Sequence, residues 1–396
     1  MHCRLRRIFV LVPNIIGYSG NAVNEKQLIK HLCRDRYCFI IAFTPITKML
    51  RLKEVRKHIN ELKSVLPKNT VIIPLPIPLT PMSFFVVSIL IAPLIWIVDK
   101  LLRFDLLYVR LSLLAYGILL VRSLSQKTLV KLMAIMEDED LVWRRIVKPI
   151  YSLTDRIAFS KAFIIGVNSP LLLKKLVLRR RTLPKGKVVW VPPGVDREKI
   201  EAIKRVIKSS ERSKRNYYVV GFVGLLAWWQ GVDILVKTVA EIKDFLDKPV
   251  KLLIVGDGPE RRKIEFLCRE LKVDCTITGF IKHEEALKLM KELDVLVVPS
   301  IRMSTTESNI PIKVLEAWAL GVPVIATRHE IYEFIGLKNF EDIVFCEPEP
   351  EDIAHKILIL LSNESLRKKI VEKSSKLVER FCYDRIVANI LNTICR

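Results

Sequence analysis

Short runs of aliphatic and β-branched residues recur along the chain, and between them the apolar residues return every three or four positions. The short runs read as strands and the longer periodic segments as helices. In the first half the strand-like runs fall at 8–12, 39–43, 71–74, 106–109, 128–134, 162–167 and 188–191, with helical patterns such as 24–32 and 46–66 between them. In the second half they fall at 219–223, 250–255, 275–278, 295–298, 322–326 and 343–345, and the chain is helical from 349 to its end. Strands alternating with helices predict parallel sheets wound in β-α-β units. The fold class expected is α/β, with two doubly wound, Rossmann-like domains facing a cleft and ligands at the carboxyl ends of the strands. A length of 396 residues fits two cores better than one. The charged stretch 196–218 marks the boundary, which predicts an N-terminal domain over 1–198, a linker over 199–215 and a C-terminal domain over 216–377.

One apolar run breaks the alternation. Residues 82–98 form 17 positions without a charge, flanked by basic residues and interrupted by Ser88 and Pro93. A spanning helix needs about 20 residues, so a helix lying in the membrane interface is expected ahead of a full crossing or a buried core helix. The apolar run at 8–12 is shorter than the roughly 7–15 residues of a signal core and reads as the first strand.

Charge sharpens this picture. Residues 1–200 hold 34 lysines and arginines against 13 acidic residues, whereas residues 201–396 hold 31 against 29. Nearly all of the net charge of +23 therefore lies in the first half and points to an anionic partner there. The first half lacks the interleaved aromatic and basic residues of an RNA platform, which argues against nucleic acid and for anionic membrane lipid or a phosphate-bearing acceptor. The eight cysteines contain no Cys-x-x-Cys pair, so neither a zinc site nor a disulfide framework is expected and a reducing cytoplasm is favoured.

Candidate chemistry concentrates in "TESNIPIKVLEAWALGVPVIA", residues 306–326. Pro311 suits the first helical position. The N–H groups of Asn309, Ile310 and Ile312 would then face out of a helix start whose dipole favours an anion. Lys313 and Glu316 lie three apart on one face and lean toward the N-terminus, a cation for phosphate beside a carboxylate for ribose hydroxyls. An exposed Lys–Glu pair would look the same in sequence. Three glycine-bearing turns after strands accompany this segment: "VGFVGLLAWWQGVDILV" (220–236), "LLIVGDGPERRKIEFL" (252–267) and "VPPGVDREKI" (191–200). Gly17 and Gly20 in "NIIGYSGNAVNEKQL" would allow a close backbone approach to a phosphate in the first half.

Taken together and in this order, these motifs, with "ITGF" and "DVLVVPS", resemble the family-four glycosyltransferases of the GT-B fold. The resemblance implies a retaining transfer of a hexosyl group, mannosyl or glucosyl, from a UDP- or GDP-sugar held by the C-terminal domain. It implies that Glu316 binds the ribose, that Gly224 and its loop lie by the diphosphate, and that Gly279, Phe280 and Ile281 lie by the base; Gly256 is a further donor-binding candidate. It also implies that the last helix, 378–396, packs back on the first domain. It calls for no metal, no cofactor and no enzyme nucleophile. Ser308 stands where the family's first glutamate is usual, leaving Glu307 one residue early as the candidate sugar contact, and Leu225 and Gln230 replace the usual arginine and lysine of the glycine loop. A diphosphate near −2 to −3 needs more than the roughly half charge of a helix dipole. Lys313 is the expected substitute, assisted by Arg302.

The acidic stretch 137–140 follows a strand of the first half, and no histidine lies between His58 and His283. Glu137 or Asp138 is therefore the candidate base for an acceptor hydroxyl; a solvated acidic loop is the alternative, and an Asp-x-Asp metal motif over 138–140 a weaker one. The reading that follows is a glycosyltransferase, peripheral on the cytoplasmic face of the cell membrane, acting on a lipid or lipid-linked saccharide in polysaccharide or glycolipid biosynthesis. Alternatives are a sugar-nucleotide epimerase of the same fold and a non-catalytic basic subunit.

Overall fold

All thirteen strand-like runs form strands, with ends displaced by no more than three residues. The computed structural model describes residues 5–13, 20–45, 52–78, 80–139, 144–206 and 215–395. Its contacts divide the chain into one unit of Met1–Pro192 with Tyr383–Arg396 and a second of Pro193–Cys382.

The first unit carries seven parallel strands in the order β3-β2-β1-β4-β5-β6-β7. These are β1 Arg7–Pro13, β2 Tyr37–Pro45, β3 Thr70–Ile77, β4 Leu106–Arg110, β5 Thr128–Leu132, β6 Ile164–Val167 and β7 Lys187–Trp190. β4 and β5 are buried at every position, which explains their unbroken rather than alternating apolar pattern: helices cover both faces of a parallel sheet. The second unit carries six parallel strands in the order β10-β9-β8-β11-β12-β13. They are β8 Tyr218–Val223, β9 Val250–Val255, β10 Cys275–Ile277, β11 Val295–Val298, β12 Val324–Thr327 and β13 Val344–Cys346. In each sheet the strand order reverses once, between β1 and β4 and between β8 and β11. Those are the points where an open α/β sheet leaves a crevice at its carboxyl edge.

Three expectations need correction. The linker expected over 199–215 begins instead as the helix Arg197–Val206, whose Ile200 and Ile203 are buried in the second unit; two apolar residues on one turn sufficed where the charged remainder suggested a tether. The rest of that stretch, 207–214, lies outside the described residues, as does Gly17. Gly20 opens the helix Gly20–Leu32 rather than lying in a loop ahead of it. Cys33 and Cys38 form a disulfide across the turn between that helix and β2, and Cys395 is disulfide-bonded as well. A search for Cys-x-x-Cys pairs passes over a Cys-x4-Cys spacing. The disulfide withdraws the cysteine pattern as an argument for a reducing compartment.

The chain enters and leaves the second unit side by side. Val195 bridges Cys382 in parallel, and the Val195 N–H donates to the Phe381 carbonyl at 2.9 Å. The last helix, Tyr383–Cys395, then lies in the first unit, where the Tyr383 hydroxyl donates to Asn24 Oδ1 at 2.7 Å and its ring stacks on His31.

The apolar run of residues 82–98 lies inside a longer helix, Pro81–Leu102, started by Thr80, whose hydroxyl accepts the Ser83 N–H. One narrow stripe is buried: Phe84, Ser88, Ala92, Ile95 and Asp99. Close approach to the helix Ser112–Leu120 is possible because Gly117 has no side chain; a methyl there would meet the Ser88 carbonyl at 2.1 Å. At the far end Asp99 accepts from Lys127 Nζ at 2.7 Å and from the Phe104 N–H at 3.1 Å. The opposite side is bare, with Val86, Leu90, Leu94, Ile97 and Leu101 all exposed, so a wholly buried core helix is excluded.

Candidate functional site

The reversal between β8 and β11 gathers most of the candidate donor residues. β8 ends at Val223 and turns at Gly224, β9 ends at Val255 and turns at Gly256, and the two turns run against each other. The Gly224 N–H donates to the Val255 carbonyl at 2.9 Å and the Leu226 N–H to the Asp257 carbonyl at 2.9 Å. Gly256 has φ +145°, and a methyl at that position would stand 1.9 Å from the Gly224 carbonyl oxygen. Gly256 also bridges Gly279, which precedes the exposed Phe280 and the half-buried Ile281. Gly256→Ala is expected to destabilise the protein by more than the roughly 1–3 kcal/mol of a strained backbone alone, because a carbonyl must also move; a lowered denaturant midpoint checks it.

Lys313 reaches into this turn. Its Nζ donates to Gln230 Oε1 at 2.8 Å and sits 3.9 Å above the centroid of the Phe222 ring. A methyl on Gly224 would come within 2.7 Å of the same nitrogen, so the glycine leaves room for the ammonium. Removal from water pulls the Lys313 pKa down to about 7, against the pull of Glu316. Gln230 therefore replaces a cation of the glycine loop with an acceptor that holds a cation from another element.

Glu316 faces a different set of partners. It is buried, and its Oε1 is 2.6 Å from His283 Nε2, whose Nδ1 lies 3.2 Å from Lys199 Nζ. With Lys199 donating to Nδ1, the ring carries its proton on Nε2 and donates it to the carboxylate. Glu316 Oε2 has no hydrogen-bond partner among the described residues, which leaves an acceptor for a hydroxyl. His283 was not singled out by sequence; it is a lone histidine opening a polar helix, His283–Lys291, and only the fold shows that it faces Glu316.

The segment between β11 and Lys313 differs from expectation. A short helix, Ser304–Ser308, interrupts the loop, Asn309 is extended, and Pro311 is the N-cap (φ −64°, ψ 137°) rather than the first helical residue. The helix proper is Ile312–Leu320, so Asn309 and Ile310 belong to the extended lead-in and the helix-start donors begin at Ile312. Proline offers no side chain to cap them.

Glu307 is engaged elsewhere. Its Oε2 accepts the Glu330 N–H at 2.6 Å and its Oε1 lies 3.3 Å from His329 Nδ1. On the other side of that ring, Nε2 is 2.8 Å from Ser300 Oγ. His329 is fully buried, and burial lowers its pKa against the pull of Glu307, so a neutral ring bridges the two. Ser300 is buried too, which makes the row a brace for the helix Glu330–Phe334 and not an accessible nucleophile. Arg302 pairs with Glu347 at 2.8 Å and approaches Glu307 at 3.7 Å, so two carboxylates already neutralise this expected phosphate cation.

In the first unit, Asp138 lies in the single turn Met136–Glu139 and accepts from Arg179 Nη1 at 2.8 Å, a partner that competes with any role as base. The Glu137 side chain and Asp140 lie outside the described residues. Among the described residues no three of His, Cys, Asp or Glu converge as metal ligands do.

Residues 203–377 match the family model described as glycosyl transferases group 1. An uncharacterised glycosyltransferase of Methanocaldococcus jannaschii is 26% identical over 47% of this chain and 46% of its own. The 2-deoxystreptamine glucosyltransferase of Streptomyces kanamyceticus is 34% identical over 34% of this chain and 35% of its own. Among solved structures, Anabaena HepE in complex with UDP superposes with a TM-score of 0.72 at 15% identity, covering 99% of this chain and 100% of that one. A glycosyltransferase from Rickettsia africae superposes with a TM-score of 0.71 at 18% identity, covering 99% of each. The sequence matches span half or less of the length of the curated relatives, whereas the structural matches run the length of the chain.

Proposed function

We propose, for a chain with the GT-B fold whose residues 203–377 belong to the group 1 glycosyl transferases, a retaining transfer of a sugar from a nucleotide-sugar to a lipid or lipid-linked acceptor. The observation that carries the donor half is Lys313, its ammonium lodged at the carboxyl end of β8 between Gln230 and the Gly224 turn. There it meets the negative charge that grows on a departing diphosphate, and the uncapped start of Ile312–Leu320 adds its dipole. Glu316, held by His283, accepts from a ribose hydroxyl through Oε2. The backbone beside Phe280 and Ile281 takes the base. The reading assigns the counter-charge to Lys313 rather than to a metal, and the protein's part in the transfer is orientation and electrostatic support.

UDP-glucose is the first donor to test, because structures of this fold hold UDP and UDP-glucose; GDP-mannose is the second. Saturable binding by calorimetry is expected for one of them. In the empty site the ammonium is half neutral near pH 7, and a bound diphosphate holds its proton on. Binding therefore takes up a proton above pH 7. Affinity is expected to be flat below about pH 6, to be roughly halved near pH 7 and to fall toward about tenfold per unit above it, a slope that Lys313→Met abolishes. Failure of both donors to bind would remove the proposal. Nucleotide-sugar turned over without an acceptor would favour the epimerase instead.

The acceptor half rests on the helix Pro81–Leu102. It is docked along one stripe through Phe84, Ser88 and Asp99 and bare on the other, so in place it offers an apolar face to a bilayer surface instead of crossing one. The basic surplus of residues 1–200 suits the anionic inner leaflet. These features support a peripheral position on the inner face of the membrane.

A further inference from the structure

A second polar cluster occupies the reversal point of the first unit's own sheet. β1 and β4 are neighbours there, and Arg110 is the last residue of β4. In the parallel register Arg110 is paired with Lys131 of β5, so their side chains leave the same face, and Tyr108, two residues earlier, shares it. The helix Gly20–Leu32, which follows β1, brings Glu25 onto that face. Glu25 accepts from the Tyr108 hydroxyl and from Lys131 Nζ at 3.2 Å, with Arg110 Nε at 3.8 Å.

The charges of this cluster do not balance. The Glu25 and Lys131 side chains are fully buried and that of Arg110 is 7% exposed, so among the described residues two basic groups share one carboxylate out of water. Burial raises the Glu25 pKa, but Lys131 and Arg110 together bring it below its ordinary value and keep it ionised. Burial and then Glu25 push Tyr108 well up, so it stays a neutral donor. Burial lowers Lys131, Glu25 opposes this, and Arg110 adds to the lowering. A buried basic group in excess of its carboxylate partner is costly unless an anion joins it.

Arg110 also has donors to spare. Its Nε donates to Met133 Sδ at 2.8 Å, a weak acceptor, and its two NH2 groups have no hydrogen-bond partner among the described residues. Leu111, directly after it, has φ +83°, outside the regions leucine favours, and turns the chain sharply at the strand's end. An arginine fork with its NH2 groups unused, backed by a lysine at a sheet reversal point, matches a phosphate in shape and charge.

We propose that Arg110, with Lys131 behind it, binds a phosphate group carried by the acceptor at the carboxyl ends of β4 and β5. The word acceptor rests on the glycosyltransferase reading above; the anion site does not. The phosphate could belong to a lipid-linked carrier or to a soluble sugar or polyol phosphate, and the probes separate these sources.

The test uses the full chain and three probes, inorganic phosphate, glycerol 3-phosphate and dodecyl phosphate in neutral micelles, against chloride at matched ionic strength. Melting temperature and calorimetry are the readouts. Saturable stabilisation by the phosphates and not by chloride is expected, with affinity weakened at least about tenfold in Arg110→Gln. Glu25→Gln removes the internal competitor and is expected to tighten phosphate binding, a change of opposite sign that a merely structural network would not give. Should Arg110→Gln fail to fold, Arg110→Lys keeps the charge without the fork and is expected to weaken binding by a smaller factor. Preference for dodecyl phosphate supports the site with a lipid-linked source, and preference for glycerol 3-phosphate supports it with a soluble one. No saturable phosphate effect on the wild type would overturn the proposal, as would unchanged affinity in the Arg110 variants or parallel losses in Arg110→Gln and Glu25→Gln. UDP-glucose affinity is expected to be unchanged in Arg110→Gln; if it fell likewise, the anion site would belong to the donor and the acceptor assignment would be overturned. Phosphate binding without any nucleotide-sugar binding would defeat the donor reading and leave this site standing.

Discussion

Lys313→Met is expected to lower turnover of the nucleotide-sugar by about 10²–10³-fold, the range lost when one preorganised charge-stabilising group is removed from a reacting centre. The loss should fall mainly on kcat, because the leaving diphosphate carries more charge in the transition state than in the bound donor. Stability should move the other way. The Lys313 pKa is near 7 in the folded protein and ordinary in the unfolded chain, so between those two values the unfolded state binds the extra proton. Stability of the unliganded protein therefore rises with pH from about 7 toward about 10.5 through this group, and below that window the buried ammonium is a standing liability. The methionine variant lacks that liability. A melting temperature at pH 7 equal to or above the wild type's, with activity nearly gone, is the signature of a charge held for function. Turnover within a few-fold of the wild type would remove Lys313 from the account of the leaving group.

The second large effect concerns the membrane. Leu90 and Leu94 are 67% and 62% exposed on the bare side of the helix Pro81–Leu102, one turn apart. Burying each in a lipid interface would contribute about 1.5–3 kcal/mol, so Leu90→Glu with Leu94→Glu should weaken association with anionic vesicles by roughly 10²–10⁴-fold. Flotation with phosphatidylglycerol-containing liposomes measures it. Both residues point away from the protein body, so the fold and nucleotide binding should persist in the double variant. Equal flotation of wild type and variant would show that this face meets something other than lipid.

The fold was legible because parallel strands buried on both faces leave short, dense apolar runs that helical segments do not imitate. β4 and β5, buried throughout, are examples. Ends were less legible. Arg197 starts a helix in a stretch whose composition suggested a linker, because Asp196, which accepts the Lys199 N–H, and two buried isoleucines, not overall polarity, decide where that helix begins. In the site, Lys313 and Glu316 could be named from spacing on one helix. Their partners could not, because Gln230 and His283 lie 83 and 33 residues away and arrive only through sheet order. Glu307 shows the reverse limit: a carboxylate one residue from an expected place looks interchangeable in sequence, yet that step turns it onto the Glu330 N–H and His329. The cluster of Glu25, Tyr108, Arg110 and Lys131 gave no linear signal, since its members meet through the register between β4 and β5 and the helix after β1.

The pairing of Val195 with Cys382 has a practical corollary. A segment whose two ends already run side by side can be lifted out of a gene and closed on itself with little loop entropy, since its ends need no spanning tether. Residues 193–382 are thus suited to production as an independent module in which the proposed donor binding can be measured. The remaining stretches, 1–192 and 383–396, can be rejoined by a short glycine-containing bridge and tested separately for the proposed phosphate site.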